Sequence, residues 1–188
     1  EFFGSYQGMF RTDAMSDEAD DVLAYFEAVL PGYFDAIGTR VFSGRDFSET
    51  DTAESEPVVI VNEAFARSHW PERSALGRKV GIKREMDSGL VWARVVGVAP
   101  NLQMLDLGGG LAESDGLYLP FTQNPARFMT VVLRGRNGIA PQSLSPVLRR
   151  TVKSLDPNLP LDWVRSYQDS IDHMLIPTRV VTTMFVAF

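Results

Sequence analysis

The sequence predicts an α+β domain in which a split βαβ lobe carries an inserted small α/β lobe. A strand–helix–strand pattern occurs twice, at 22–42 and at 128–164, and the piece between them, 57–120, has strands and an amphipathic helix of its own. The two flanking units can pair into one sheet with both helices on one face. Hydrophobic residues make up 45 % and charged residues 22 % of the 188, the usage of an ordinary globular domain. Such a chain buries roughly 70 % of its unfolded surface and needs no metal or disulfide to hold a core.

Residues 13–21 carry Asp13, Asp17, Glu18, Asp20 and Asp21 with no basic residue and read as a solvated, mobile segment. Their spacing does not fit a calcium loop. Residues 22–30 (VLAYFEAVL) are nearly all apolar and read as a strand. Pro31-Gly32 punctuates the chain. Tyr33, Phe34 and Ile37 follow at helical spacing, and Gly38 ends that short helix. Arg40 to Phe42 is a second short strand, followed by the turn Ser43-Gly44-Arg45-Asp46-Phe47.

Residues 45–56 form a polar loop, with five carboxylates against Arg45. Pro57 to Val61 reads as a buried strand. Asn62 is a good N-cap, and Glu63 in the first turn favours the helix dipole. Phe65, Ala66, His69 and Trp70 share one helical face before Pro71 stops it. Residues 79–83 and 91–99 are two more strands joined by a charged hairpin loop. Residues 100–116, rich in glycine, are a long loop, and Leu117 to Pro120 is a short strand.

Phe128 to Leu133 is predicted as a strand. Leu144, Val147, Leu148, Thr151 and Leu155 then repeat at helical spacing. Pro146 belongs in the first turn, so this helix is expected to start between Gln142 and Ser145. Leu161 to Val164 is a strand, and Ser166 with Asp169 forms an approximate capping box for a final helix with Ile171, Met174 and Leu175 on its apolar face. The run VVTTMFVAF (180–188) has no charge and spans about 13–14 Å as a helix, under half of a hydrocarbon core of ~30 Å. It admits two readings: the start of a transmembrane helix, or a terminal helix docked on the core.

The chemistry-bearing residues argue against several classes. The formal charge is −6, which disfavours wrapping nucleic acid. With no cysteine and only His69 and His173, thiol catalysis is excluded and a zinc site would need both histidines to converge. No nucleophile elbow, phosphate loop, HExxH or GxGxxG pattern is present. Gly108-Gly109-Gly110 has no basic residue after it and reads as a flexible loop. Glu49/Asp51 and Glu54/Glu56 are paired carboxylates without the aromatic walls that raise a pKa. His69 reads as a packed or rim histidine. Arg149, Arg150 and Lys153, with Arg134 and Arg136, form a basic patch that is either a solvated face or a contact for an acidic partner. Trp70, Trp92, Trp163, Phe121 and Phe128 are contact anchors or core. No catalytic, cofactor-binding or metal-binding residue is assigned.

The ordered blocks AVLPGYFDAIGTRVFSGRDF (28–47), PVVIVNEAFARSHWPERSALGRKV (57–80), WARVVGVAPN (92–101), LYLPFTQ (117–123) and LRRTVKSLDPNLPL (148–161) resemble the periplasmic core domain of MacB-like, FtsX-type ABC transporter permeases. The resemblance covers most of 28–188. It implies a porter-like lobe, 22–47 plus 118–176, with an inserted lobe at 48–117, and makes 177–188 the start of a transmembrane helix. Pro31, Gly32, Tyr33, Phe34, Gly44, Arg45 and Phe47 are its structural motif.

It further implies a non-enzymatic domain on the periplasmic or extracellular side of the cytoplasmic membrane, moved by an ATPase on another domain or chain. The permease would act as a dimer or pseudo-dimer, with a possible periplasmic adaptor, no cofactor and no nucleic acid. The alternatives are a soluble periplasmic ligand-binding module, which requires a concave site of ~300–1,000 Å³, and a carboxylate-dependent hydrolase, which requires a carboxylate against aromatic walls.

Overall fold

The computed structural model describes residues 5–16, 20–83, 89–102, 115–125, 129–136 and 138–161, together with 164, 166 and 169. The strands are β1 (Ser5–Thr12), β2 (Val22–Val29), β3 (Ser43–Gly44), β4 (Val58–Asn62), β5 (Lys79–Lys83), β6 (Leu90–Ala99) and β7 (Gly116–Pro120). The helices are α1 (Tyr33–Ala36), α2 (Glu63–His69) and α3 (Pro141–Leu155). The chain divides into two compact units, Glu1–Val132 and Leu133–Phe188.

In the first unit all seven strands join one sheet, ordered β3-β6-β4-β7-β2-β1-β5, and β5 pairs again with β6. The ladder therefore closes into a ring, β6–β4–β7–β2–β1–β5–β6, with β3 attached to β6. Closure leaves these six strands without an open edge. β2, from the expected porter-like lobe, and β4, β5 and β6, from the expected inserted lobe, all belong to this ring. It also differs from the expected split βαβ pairing. The parallel neighbour of β2 is β7, with Glu27 opposite Tyr118, and residues 129–133 form no strand. That segment has the β-propensity of a strand, but a strand also needs a partner with free backbone groups, and β2 is already paired on both sides, by β1 and β7.

Alternation along β4 explains why its whole run is apolar. Val59 and Val61 pack with Phe10, Phe26, Phe65, Leu117 and Leu119, while Val58 and Ile60 pack with Phe34, Phe47 and Tyr118 on the other face. The first cluster is closed by α2. Its cap forms as expected, with the Asn62 side chain accepting from the Phe65 N–H at 2.8 Å. Trp70 is part of this core, at 4 % exposure, whereas Trp92 stands 43 % exposed.

Several local expectations need correction. Residues 5–12, for which no element was expected, form a strand in the middle of the ring. The second short strand lies at 43–44 rather than 40–42, because Gly44 meets β6 there. The acidic run is tied down at its described ends. Asp13 accepts from the Trp70 indole N–H at 3.1 Å, and Asp21 pairs with Arg11 at 3.2 Å and Lys83 at 3.5 Å.

In the second unit, α3 starts at Pro141 and holds Pro146 inside rather than in the first turn. Pro141 suits the first helical position, and Pro146 removes only the one bond its N–H would make to the Gln142 carbonyl. The α3 cations Arg149, Arg150 and Lys153 are exposed. Ser166 and Asp169 make the reciprocal hydrogen bonds of a capping box, at 3.2 and 3.1 Å. Trp163, Phe128, the loop 103–114, and the expected final helix and apolar run (170–188) lie outside the described residues.

Candidate functional site

The two halves of the motif meet at one corner. Pro31 and Gly32 turn the chain out of β2 at the surface, Gly32 with φ +83°. A φ near +80° disfavours any Cβ and selects glycine. The Asp46 carboxylate accepts from the Phe47 N–H at 2.7 Å, and the nearby Gly32 amide also favours its anion, so the turn after β3 lies beside the corner before α1. Tyr33 donates its phenol to Glu27 Oε1 at 3.0 Å. Phe34 is 1 % exposed and sits edge-on to Tyr118, with ring centroids 5.0 Å apart. Phe47 fills the same cluster.

Gly44 is held by a bulge in β6. Val59 pairs with Val95 but Ile60 pairs with Gly97, which leaves Val96 as the extra residue. The Val96 carbonyl accepts from the Arg45 N–H at 2.9 Å. Gly44 has φ +79°, and a Cβ there would lie 2.2 Å from that carbonyl oxygen. Gly97 is tight in return, since a Cβ on it would meet the Arg45 carbonyl oxygen at 2.5 Å.

Arg45 then reaches across the loop to Asp51 with both guanidinium nitrogens, at 2.8 and 2.7 Å. Asp51 is buried and also accepts from the Ser48 N–H at 2.8 Å. Arg45 holds the Asp51 carboxyl below its ordinary range, with the Ser48 hydrogen bonds adding to this. Burial acts in the opposite direction on Glu27 and Asp46 and raises both. Burial likewise pushes the Tyr118 phenol well above its ordinary value, with the neighbouring Glu27 charge adding to the effect.

Gln123 locks the far end of the polar loop. Its Nε2 lies 3.0 Å from the Thr52 carbonyl, 3.0 Å from Ser55 Oγ and 3.1 Å from the Glu56 carbonyl, while Oε1 accepts from the Val58 N–H at 3.1 Å. Thr122 Oγ1 donates to the Asp51 carbonyl.

The arrangement is built to hold rather than to react. Asp51, the Glu49/Asp51 member that is buried, is occupied by Arg45 and Ser48. Arg94 pairs with Glu56 at the end of the loop. His69 Nε2 lies 2.8 Å from Asp115 Oδ2, with its ring packed on Phe10 and Phe65, and ties α2 to the segment before β7. A pocket of 180 Å³ beside the loop is lined by Ala53, Ser55, Pro57, Ile82, Gln123 and Asn124, and is smaller than the ~300 Å³ at which small-molecule sites begin. Among the described residues no group of three or more His, Asp or Glu is placed to hold a metal.

Sequence reasoning singled out the glycines, Arg45 and the aromatics but not Glu27, Asp46, Asp51 or Gln123 as their partners. Ser48-x-x-Asp51 is a local turn signal that could have marked Asp51. Gln123 carries no such signal, because its partners lie 65–71 residues away.

The profile of the MacB-like periplasmic core domain matches residues 5–150. The chain belongs to the MacB-like periplasmic core domain family. It is 31 % identical over 111 residues to the macrolide export ATP-binding/permease protein MacB 1/2 of Paracoccus denitrificans, a stretch covering 59 % of this chain and 15 % of that protein. The fold is similar to the periplasmic region of MacB from Actinobacillus actinomycetemcomitans, with TM-score 0.55 and 20 % identity over 81 % of this chain and 64 % of that one. It is also similar to the extracellular domain of the noncanonic ABC-type transporter YknZ from Gram-positive bacteria, with TM-score 0.53 and 17 % identity over 81 % of this chain and 72 % of that one.

The chain thus spans less than two thirds of the solved MacB region and about one seventh of the curated relative. The MacB-like match includes β1, which the sequence blocks leave out, and ends inside α3. As a MacB-like periplasmic core domain the chain belongs to a transporter permease family, not an enzyme family.

Proposed function

We propose that this domain is the part of an ABC permease that stands outside the cytoplasmic membrane and passes ATP-driven motion to a substrate or partner. The observation that carries the reading is the continuous family match from β1 into α3. In this reading residues 177–188 start a transmembrane helix. ATP is hydrolysed by a separate nucleotide-binding domain or chain, two permeases work as a dimer or pseudo-dimer, and a periplasmic adaptor is a further candidate partner. The porter-like lobe of this reading comprises residues 22–47 and 118–176, with 48–117 as its inserted lobe.

The closed ring suits a body that moves as one piece, since each of its six strands is bonded on both sides. Among the described residues no helix is long and apolar enough to cross a membrane, so the membrane placement rests on the family. The test uses the full-length natural protein. These 188 residues hold no cysteine, so once any cysteine elsewhere in the full-length protein is replaced, single cysteines at two exposed ring positions can carry spin labels. A topology reporter placed after residue 188 should lie next to a membrane segment, and label distances between paired permeases should change on ATP binding. A soluble full-length product, or distances indifferent to nucleotide, would overturn the reading.

A further inference from the structure

The ring of strands has an inside and an outside. All six ring strands contribute to the first core cluster, among them β1 with Phe10, β5 with Val80 and Ile82, and β6 with Ala93. Strand alternation then turns Met9, Lys79, Gly81, Lys83 and Trp92 outward. Part of the outside is covered by Phe34 and Phe47. On the part made by β2, β1, β5 and β6, Leu23 is 53 %, Trp92 43 % and Met9 38 % exposed.

Register sets these side chains in rows across the four strands. Met9 lies between Leu23 and Lys83, and Lys83 is opposite Leu90. In the next row Gly81 lies between Arg11 and Trp92, and in the one beyond it Lys79 is opposite Arg94. A Cβ on Gly81 would meet indole carbons of Trp92 at 3.3 and 3.4 Å. The indole therefore lies across the bare backbone of β5 and presents its other side to solvent. We propose that this face docks on an anionic phospholipid surface, with Leu23, Met9 and Trp92 entering the headgroup layer and Lys79 and Lys83 meeting lipid phosphates.

Charge selects the occupant. Arg11, Lys79, Lys83 and Arg94 stand in the three rows. Asp21 lies against Arg11 and Lys83, and Glu56 against Arg94, so two carboxylates face four cations. Asp13, beyond Lys79, is matched by Arg78 at 3.9 Å. The face keeps an excess of positive charge on a chain whose formal charge is −6. An anionic layer attracts this side and repels the rest, which sets orientation as well as affinity. Tryptophan and the long stems of lysine suit the boundary between headgroups and hydrocarbon.

Shape favours lipid over protein. The face is the convex outside of a closed ring, and closure leaves its strands no open edge for an added strand. A convex surface carrying long side chains fits a fluid layer that moulds to it. The membrane role rests on the placement proposed above. Failure of the binding described next would strike this inference alone, because the topology reporter and the label distances do not depend on it.

The experiment is co-sedimentation of the 188-residue chain with vesicles of equal parts phosphatidylglycerol and phosphatidylcholine, against phosphatidylcholine alone. The natural chain should bind the anionic vesicles preferentially, and less as salt rises. Equal binding to both, or none, overturns the proposal. Lys79→Glu/Lys83→Glu should lower binding by about tenfold or more. Arg149→Glu/Arg150→Glu changes the net charge equally, on exposed α3 positions away from this face, and should lower it far less. Equal losses in the two double variants would mean that net charge alone acts. Every variant keeps residues 180–188, so these differences do not report that apolar run.

Bromine-labelled phosphatidylglycerol gives a local reading. It should quench part of the tryptophan fluorescence of the natural chain, and Trp92→Phe should remove that part. Quenching unchanged by Trp92→Phe overturns the proposal. All three substituted positions of this face are exposed, and melting temperatures check that each variant folds. Poly-glutamate serves as the competing probe. If it binds through Lys79 and Lys83 while anionic vesicles do not, the face serves an acidic protein and the lipid assignment is wrong.

Discussion

Gly44 lies so close to Val96 that a Cβ on it would stand 2.2 Å from the Val96 carbonyl oxygen and 3.0 Å from the Gly97 Cα. Both obstacles are backbone, so neither can swing away, and the bulge in β6 is what puts them there. Gly44→Val is expected to cost about 1–3 kcal/mol. Gly77 has the same kind of φ, +80°, with nothing within 4 Å of its Cβ position. Gly77→Ala therefore reports strain alone, about 1 kcal/mol. Thermal melts of both should rank Gly44→Val as clearly the more damaging. An unchanged melting temperature for it would refute the close approach.

Asp51→Asn should lose a charge-assisted pair whose acidic half is buried and whose basic half is about half exposed. Solvent screening of Arg45 limits the loss to about 1–2 kcal/mol. The folded Asp51 pKa is depressed, so its contribution is present above the ordinary carboxylate value and disappears as pH falls through the folded value. The gap in melting temperature between the natural chain and Asp51→Asn should be full near pH 6 and close on acidification below about pH 4. A gap that persists undiminished to pH 2 would contradict this account of the pair.

Gln123→Leu removes the partner of the buried Val58 N–H and frees the loop carbonyls of Thr52 and Glu56. Unsatisfied buried amides cost about 1–3 kcal/mol each. The expected loss is about 2–3 kcal/mol, with faster amide exchange at Val58. Exchange at Val58 that matches the natural chain would show that the latch is dispensable.

Tyr118→Phe works in the other direction. The Tyr118 hydroxyl is buried and has no hydrogen-bond partner among the described residues, so removing it restores no debt and deletes a desolvated polar atom. Stability is expected to stay level or to rise by up to about 1 kcal/mol. Urea midpoints decide this, and a loss above 1 kcal/mol would mean the hydroxyl has a partner after all.

Elements ruled by near neighbours were legible. Asn62 caps α2 through the Phe65 amide three residues on, and Ser166 and Asp169 cap each other at the same spacing. The apolar runs of β4 and β7 announced strands because both are buried throughout, while β2 announced one by its apolar run although Val22 and Leu23 are exposed. β1 was missed because SYQGMFRT has neither a long hydrophobic run nor a clean alternation, and Phe10 is its one fully buried apolar side chain among the described residues. Residues 129–133 were over-read for the opposite cause, since β-propensity states a preference and a strand needs a partner.

By itself the sequence determined the Asn62 and Ser166–Asp169 caps, the Gly32 and Gly44 corners, the family blocks and their order. These depend on contacts within about four residues or on side-chain type alone. Only the tertiary structure decided that the sheet closes on itself, that Asp51 takes Arg45, and that Gln123 locks a loop 65–71 residues away. Such contacts are set by strand register, and register is chosen by the whole packed ring rather than by any stretch of chain within it.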